Sequence, residues 1–265
     1  MKKKTERAYF NDEWQQMEAY LDAFFESGDQ EKLHRFRVQV KKLRAMLMLL
    51  DTATATGKLT KDFKPVRKIF KKGGHIREAY INLQLARRYF LQDEKFILGQ
   101  VNDMDQRILD FKANAKKHLK TIREVHDKLE NDLKSLGNED INEFYRRNLN
   151  QISGALTGIQ FNDRLHDCRK KIKMLVYNRK IAKKALEGNL SLNEDYLDKL
   201  QDCIGNWHDN VMAIELFSAH IATAKPIITK IKRQNTGLRK SINLLARDFI
   251  NRATFDSDER PANQV

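Results

Sequence analysis

Apolar residues recur three and four positions apart along most of the chain, the spacing of helices that bury one face. Residues 12 to 26 form a first such segment that stops near Ser27-Gly28, and Asp29 is placed to cap a second, from 30 to 51. A Thr-rich stretch, Asp51 to Gly57, interrupts the pattern. It resumes from 60 to 72, is expected to halt at Gly73-Gly74, and returns through Arg88, so four helices fit in the first hundred residues. From Val101 the apolar positions Met104, Ile108, Phe111, Ala115, Leu119, Ile122, Leu129 and Leu133 predict one long bundle helix, with His126 as its polar intruder and Gly137-Asn138 as its end. A helix to Gly154, a basic helix over 162–187, and helices over 193–203, 206–222 and 227–250 complete the expectation, with a loose tail after Ala253. Only 3 Pro and 11 Gly leave few turns, so long polar-faced helices are the economical arrangement. The fold class is all-α.

A repeat runs through these helices. Leu33-His34-Arg35-Phe36-Arg37, followed by Lys41 and Leu43, returns 132 residues later as Leu165-His166-Asp167-Cys168-Arg169, followed by Lys173 and Leu175. Gly74, ahead of Arg77-Glu78, has a counterpart 131 residues on in Gly205, ahead of His208-Asp209. Two signals at nearly one offset predict a duplicated half: two helical bundles related by a pseudo-twofold, residues 1–136 with the long connecting helix and 137–252, followed by the tail 253–265.

Charge sharpens the picture. The net +14 is concentrated: residues 31 to 90 carry 16 Lys and Arg against 4 acids, residues 164 to 184 carry 9 against 1, and the remainder of the chain is slightly acidic. Concentrated like charge predicts an anionic partner that relieves it. Cys168 and Cys203 lie 35 residues apart with neither disulfide nor zinc spacing. No apolar run is long enough for a signal or a membrane span. A reducing cytoplasmic setting, no cofactor and no metal are the corresponding expectations.

The basic residues are ordered on helix faces. With 100° per residue and His34 at zero, Arg37, Lys41 and Arg44 fall within about 80° of it, while Phe36, Val40, Leu43, Leu47 and Leu50 occupy the opposite side. In the second copy Arg169, Lys173, Lys180 and Lys184 keep within about 60° of His166. Lys42 and Lys170 flank the two stripes. The helix before Gly73 adds Lys64, Lys68 and Lys71, with Lys61 and Lys72, as a third ladder, and Arg77 follows it. Arg offers a planar fork to phosphate oxygens and Lys a mobile point charge, so mixed stripes suit a flexible polymer of phosphates. From His34 to Arg44 the stripe spans about 15 Å, more than one orthophosphate needs.

A lone helical histidine is more often structural than functional, but His34 and His166 each head a cationic stripe, which favours a role in binding. Neighbouring cations are expected to lower their pKa values and a bound polyanion to raise them again. His75 and His208 do not fall at matching repeat positions and, with His118 and His126, read as incidental. Glu78 and Asp209 match, as orienting ion-pair partners. A nucleophile with its base, a phosphate-binding Gly-rich loop and a metal cluster are absent from the sequence pattern.

These residues resemble the CHAD family, the conserved histidine α-helical domain. The first-half pattern of that family is similar to His34, Arg37, Val38, Lys41, Leu43 and Arg44; the second-half pattern to His166, Arg169, Lys170, Lys173, Leu175 and Tyr177. Its Gly-x-x-Arg-Asp signal corresponds to Gly74-His75-Ile76-Arg77-Glu78 and to Gly205-Asn206-Trp207-His208-Asp209. The similarity covers roughly residues 10 to 250. It implies two symmetry-related helical bundles around a basic central groove, binding of inorganic polyphosphate, and association with polyphosphate granules in some members; metal chelation by the histidines has also been proposed for the family. CHAD modules are often fused to a CYTH triphosphate-hydrolysing domain, and this chain is expected to be a stand-alone member. It departs from the pattern at Met174 and Val176, where the family tends to be basic, and at Glu78, where Asp is usual.

Three readings are therefore ranked. Polyphosphate binding by a non-enzymatic module comes first, through the Lys, Arg and His stripes. Non-specific nucleic-acid binding is the alternative; it wants stacking aromatics, yet Phe36, Phe63 and Phe70 fall on apolar faces and only Tyr177 lies in a basic stripe. A metal-dependent phosphoanhydride hydrolase using His34, His166, Glu78 and Asp209 comes last, since the stripes hold no carboxylate cluster for Mg²⁺.

Overall fold

In the computed structural model the described residues are 3–254 without 55, 90, 92, 189 and 221–223, and every regular element among them is helical. The expected loose tail over 253–265 begins too early: Ala253, fully buried, accepts from Asn193 N at 2.8 Å and still belongs with Thr254 to a helix, while the rest of the tail lies outside the described residues. The chain divides between Gly137 and Asn138 into two compact units.

The first unit begins with a hairpin of α1 (Lys3–Ser27) and α2 (Gln30–Leu50). Gly28, at φ 73°, makes the turn in a region open to glycine at little cost, and the Asp29 carboxylate accepts from Glu31 N to start α2. Phe36, Leu43 and Leu47 of α2 are fully buried. Each such side chain contributes about 1.5–3 kcal/mol by leaving water, so this face holds α2 in place while its other side stays free for charge. Asp51 opens a short 3-10 turn, Asp51–Ala53, and its carboxylate accepts from Leu59 N and Thr60 N at 3.0 Å, capping α3 (Lys58–Asp62) from outside.

Next come α4 (Lys64–Arg88), α5 (Glu94–Ala113) and α6 (Ala115–Asp132), with α4 packed on α2, α5 and α6, and α6 on α1. The expected helix over 60–72 is two elements, so Lys61 belongs to α3 and leaves the ladder of α4; its ammonium donates to Thr56 O. Gly73-Gly74 does not stop α4. A Cβ on Gly73 would stand 3.0 Å from Leu33 Cδ1, and one on Gly74 would stand 2.8 Å from Arg37 Nη1; the pair marks a close helix–helix approach. The predicted single helix from Val101 to Leu133 is likewise two, broken at Asn114, whose side-chain amide donates to Asp110 O. Asn satisfies a helix-end carbonyl there, and apolar spacing continued on both sides hides the break.

The second unit contains α7 (Asn138–Leu156), α8 (Asp163–Ala185), α9 (Glu194–His220), α10 (Lys225–Ala246) and α11 (Phe249–Thr254). α8 and α11 pack on α7, and Tyr145 of α7 donates to Leu175 O at 3.0 Å. Tyr196 of α9 donates to Leu245 O at 2.6 Å, joining α9 to α10. Helix α9 runs through Gly205 where two helices had been expected, for the same reason as at Gly74. The expected helix 227–250 ends instead at Ala246, and Asp248 at φ 51° turns the chain into α11.

Candidate functional site

Arg37 decides the geometry of the first unit. Its Nη1 donates to the Phe70 carbonyl of α4, its guanidinium lies 4.0 Å from the centroid of the Phe70 ring, and Gly74 leaves the room it occupies. An arginine between two helices without a carboxylate is partly desolvated, and burial followed by the nearby Arg77 brings its pKa down to about 10. Arg77 in turn donates to Gln30 O at 3.3 Å and lies over the Tyr80 ring. His34 sits at the same end, exposed, its pKa lowered by partial burial of the ring and then by Arg77, Lys41 and Arg37, against Glu31. At the other end Arg44 is lowered by burial and by Arg67.

These contacts order the seam of two helices as His34 beside Arg77, Arg37 across Gly74, and Arg44 beside Arg67. Sequence reasoning missed Arg67. Yet it lies only about 20° from the direction of Gly74 on the wheel, against about 60° for Lys71, 80° for Lys64 and 120° for Lys68. The facing glycine is the signal that finds it. Lys64, Lys68 and Lys71 are all exposed on α4, with Lys71 nearest the seam and Lys68 turned from it. Lys72 faces the other way and acts on His118 of α6. Lys42 also leaves the stripe, pairing with Glu13 of α1 at 3.6 Å.

The second unit repeats this seam with different chemistry. Arg169 Nε donates to Gln201 O at 3.0 Å, and a Cβ on Gly205 would stand 2.7 Å from its Nη2. Phe70 and Gln201 each precede the facing glycine by four residues, so the main-chain acceptor is the same in both units. The His166 and His208 rings meet at a tilt of 32° with centroids 3.9 Å apart. His208 is therefore not incidental: at the glycine offset it is the counterpart of Arg77, and each residue attends the histidine of its own seam. Burial first, then His208, Lys170 and Arg169, hold His166 down at about 4, so in the free protein its imidazole is neutral at mildly acidic pH. Lys173 reaches Gln201 Oε1 at 3.3 Å and Lys170 pairs with Asp167 of its own helix at 2.8 Å. Lys180 and Lys184 line an open hollow of about 650 Å³ with Lys183 and with Arg179, which is ion-paired to Glu194.

Both histidine-led seams lie within residues 8–218, the stretch that matches the family pattern of the CHAD domain. The chain belongs to the CHAD family. The crystal structure of the CHAD domain from the plant Ricinus communis shares the fold, with a TM-score of 0.60 at 17% identity over 94% of this chain and 89% of that one. No curated protein matches the chain. Within the CHAD pattern the helices confirm the all-α class. Among the described residues no helix is long and apolar enough to cross a membrane, and no group of three His, Cys, Asp or Glu is placed to hold a metal ion.

Proposed function

We propose that this CHAD protein binds inorganic polyphosphate, as a carrier or scaffold and not as a catalyst, with polyphosphate granules in the cytoplasm as a setting consistent with that role. The α2–α4 seam carries the reading. Burial, followed by Arg77 for Arg37 and by Arg67 for Arg44, lowers the pKa values of two arginines along a pair of helices whose acids are confined to Glu31 and Glu78. Such repulsion is relieved by an extended anion that threads along the seam and sheds its counterions. The matching seam in the second unit supports the reading of the chain as a duplicated half.

Nucleic acid is the weaker fit, because Phe36 and Phe63 are fully buried and the Phe70 ring is covered by Arg37, leaving few faces for bases to stack on. Titration of labelled long-chain polyphosphate at several salt concentrations tests the proposal. Tight binding whose logarithm falls linearly with log salt is expected, with a slope of about −0.7 to −0.9 for each phosphate neutralised. Displacement of the polymer by single-stranded DNA or RNA at equal phosphate concentration would instead favour nucleic acid, and metal-stimulated release of orthophosphate would favour hydrolysis.

A further inference from the structure

Positions that correspond across the two seams have opposite charge. At the offset that pairs Gly74 with Gly205 and Phe70 with Gln201, Arg67 corresponds to Asp198 and Lys71 to Asp202. Helix α4 carries a single acid, Glu78, whereas α9 carries a single basic Lys199 among its acids. The cationic partners on the other helix stay the same, with Arg37 and Lys41 corresponding to Arg169 and Lys173.

The acids are held in place. Gln201, almost fully buried, accepts from Lys173 Nζ at 3.3 Å and donates through Nε2 to Asp202 Oδ1 at 2.6 Å and to Asp198 Oδ1 at 3.4 Å. One amide thereby couples the lysine to two exposed carboxylates. Burial and then Arg169 lower the pKa of Lys173, with Asp202 and Asp198 opposing them only in part. Further along, Arg179 is paired with Glu194, where the first unit has Leu47 and Phe63.

We infer that the α8–α9 seam is a self-occupied copy of the polyanion site, in which Asp198 and Asp202, fixed by Gln201, stand where phosphates would and weaken its hold on polyphosphate. Binding is then carried by α2–α4, and the two aspartates set how far the second seam takes part. This rests on the polyphosphate reading above. It concerns a carboxylate that neutralises a cation already, so an incoming phosphate meets repulsion of its own sign with less release of counterions to compensate.

The test uses the full chain, titrated at low ionic strength with long-chain polyphosphate and, in parallel, with a single-stranded oligonucleotide. The Asp198→Asn, Asp202→Asn double variant keeps side-chain size and is checked for native helicity by circular dichroism. It is expected to bind polyphosphate about tenfold more tightly, with a steeper salt slope, as two unit charges removed within about 10 Å of the anion would give. Lys173→Ala is expected to weaken the double variant several-fold more than it weakens the wild-type chain. Unchanged or weaker binding by the folded double variant overturns the inference, as does a wild-type loss on Lys173→Ala equal to that of Arg67→Ala, Lys71→Ala. An oligonucleotide that outcompetes polyphosphate, yet gains in the double variant, removes the polyphosphate reading and leaves the self-occupied seam standing.

Discussion

Glycine in mid-helix usually costs about 1 kcal/mol relative to alanine, so three glycines at two helix crossings have to be explained by what faces them. Gly205 faces Arg169, whose Nε, Cζ and Nη2 would all stand within 2.9 Å of a Cβ there. The guanidinium can yield only by giving up the Gln201 carbonyl. Gly205→Ala is therefore expected to lower stability by about 1–2 kcal/mol in chemical denaturation, whereas Gly154→Ala in α7, which meets nothing within 4 Å, is expected to raise it by about 0.5–1 kcal/mol. In the sequence the glycines read as helix breakers because the arginines that need the space lie 37 and 36 residues away. The same distance hid Arg67 and His208, while the residues that repeat within one helix, His34, Arg37, Lys41 and their second copies, were legible directly.

His118 gives a second prediction at this scale. Its ring packs between Phe25 and Phe111, and burial, then Lys72 and Lys117, lower its pKa to about 4. The unfolded chain binds its proton near pH 6.5, so the contribution of the neutral ring is complete above that value and is lost as the pH falls towards 4. His118→Leu should narrow the difference in unfolding free energy between about pH 7 and about pH 5; an unchanged difference would show that this imidazole does not carry the acid sensitivity.

Among the elements, α2 and α5 stand at opposite ends. Half the length of α2 is buried, but α5 buries only Phe96 and Phe111 and exposes Leu98 and Leu109. A helix with so few apolar anchors opens at lower free energy. Amide exchange should accordingly be faster in the body of α5 than in the body of α2 by at least about tenfold; equal protection would mean that the first unit opens only as a whole. Apolar spacing located α2 and α8 to within two residues, because one continuous buried stripe defines each. It joined α5 to α6, since Asn114 interrupts the backbone without interrupting the stripe.

Over the whole molecule, the net charge of +14 acts against the empty protein and for its complex. Salt screens repulsion over about 10 Å at 0.1 M, so moderate NaCl should raise the melting temperature of the free chain while weakening polyphosphate binding. Excess polyphosphate at low salt should raise the melting temperature as well, by mass action on the folded form. If added salt lowers the melting temperature of the free chain, attraction between its own charges outweighs the repulsion inferred for α2–α4.

The arginines that fasten both crossings do so on peptide oxygens. Arg37 has no carboxylate to surrender, so under the proposed function a strand of phosphates would arrive at the first crossing without first evicting a rival. Such a clasp would be ready before any cargo came, and letting the cargo go would leave it as firmly closed as it was.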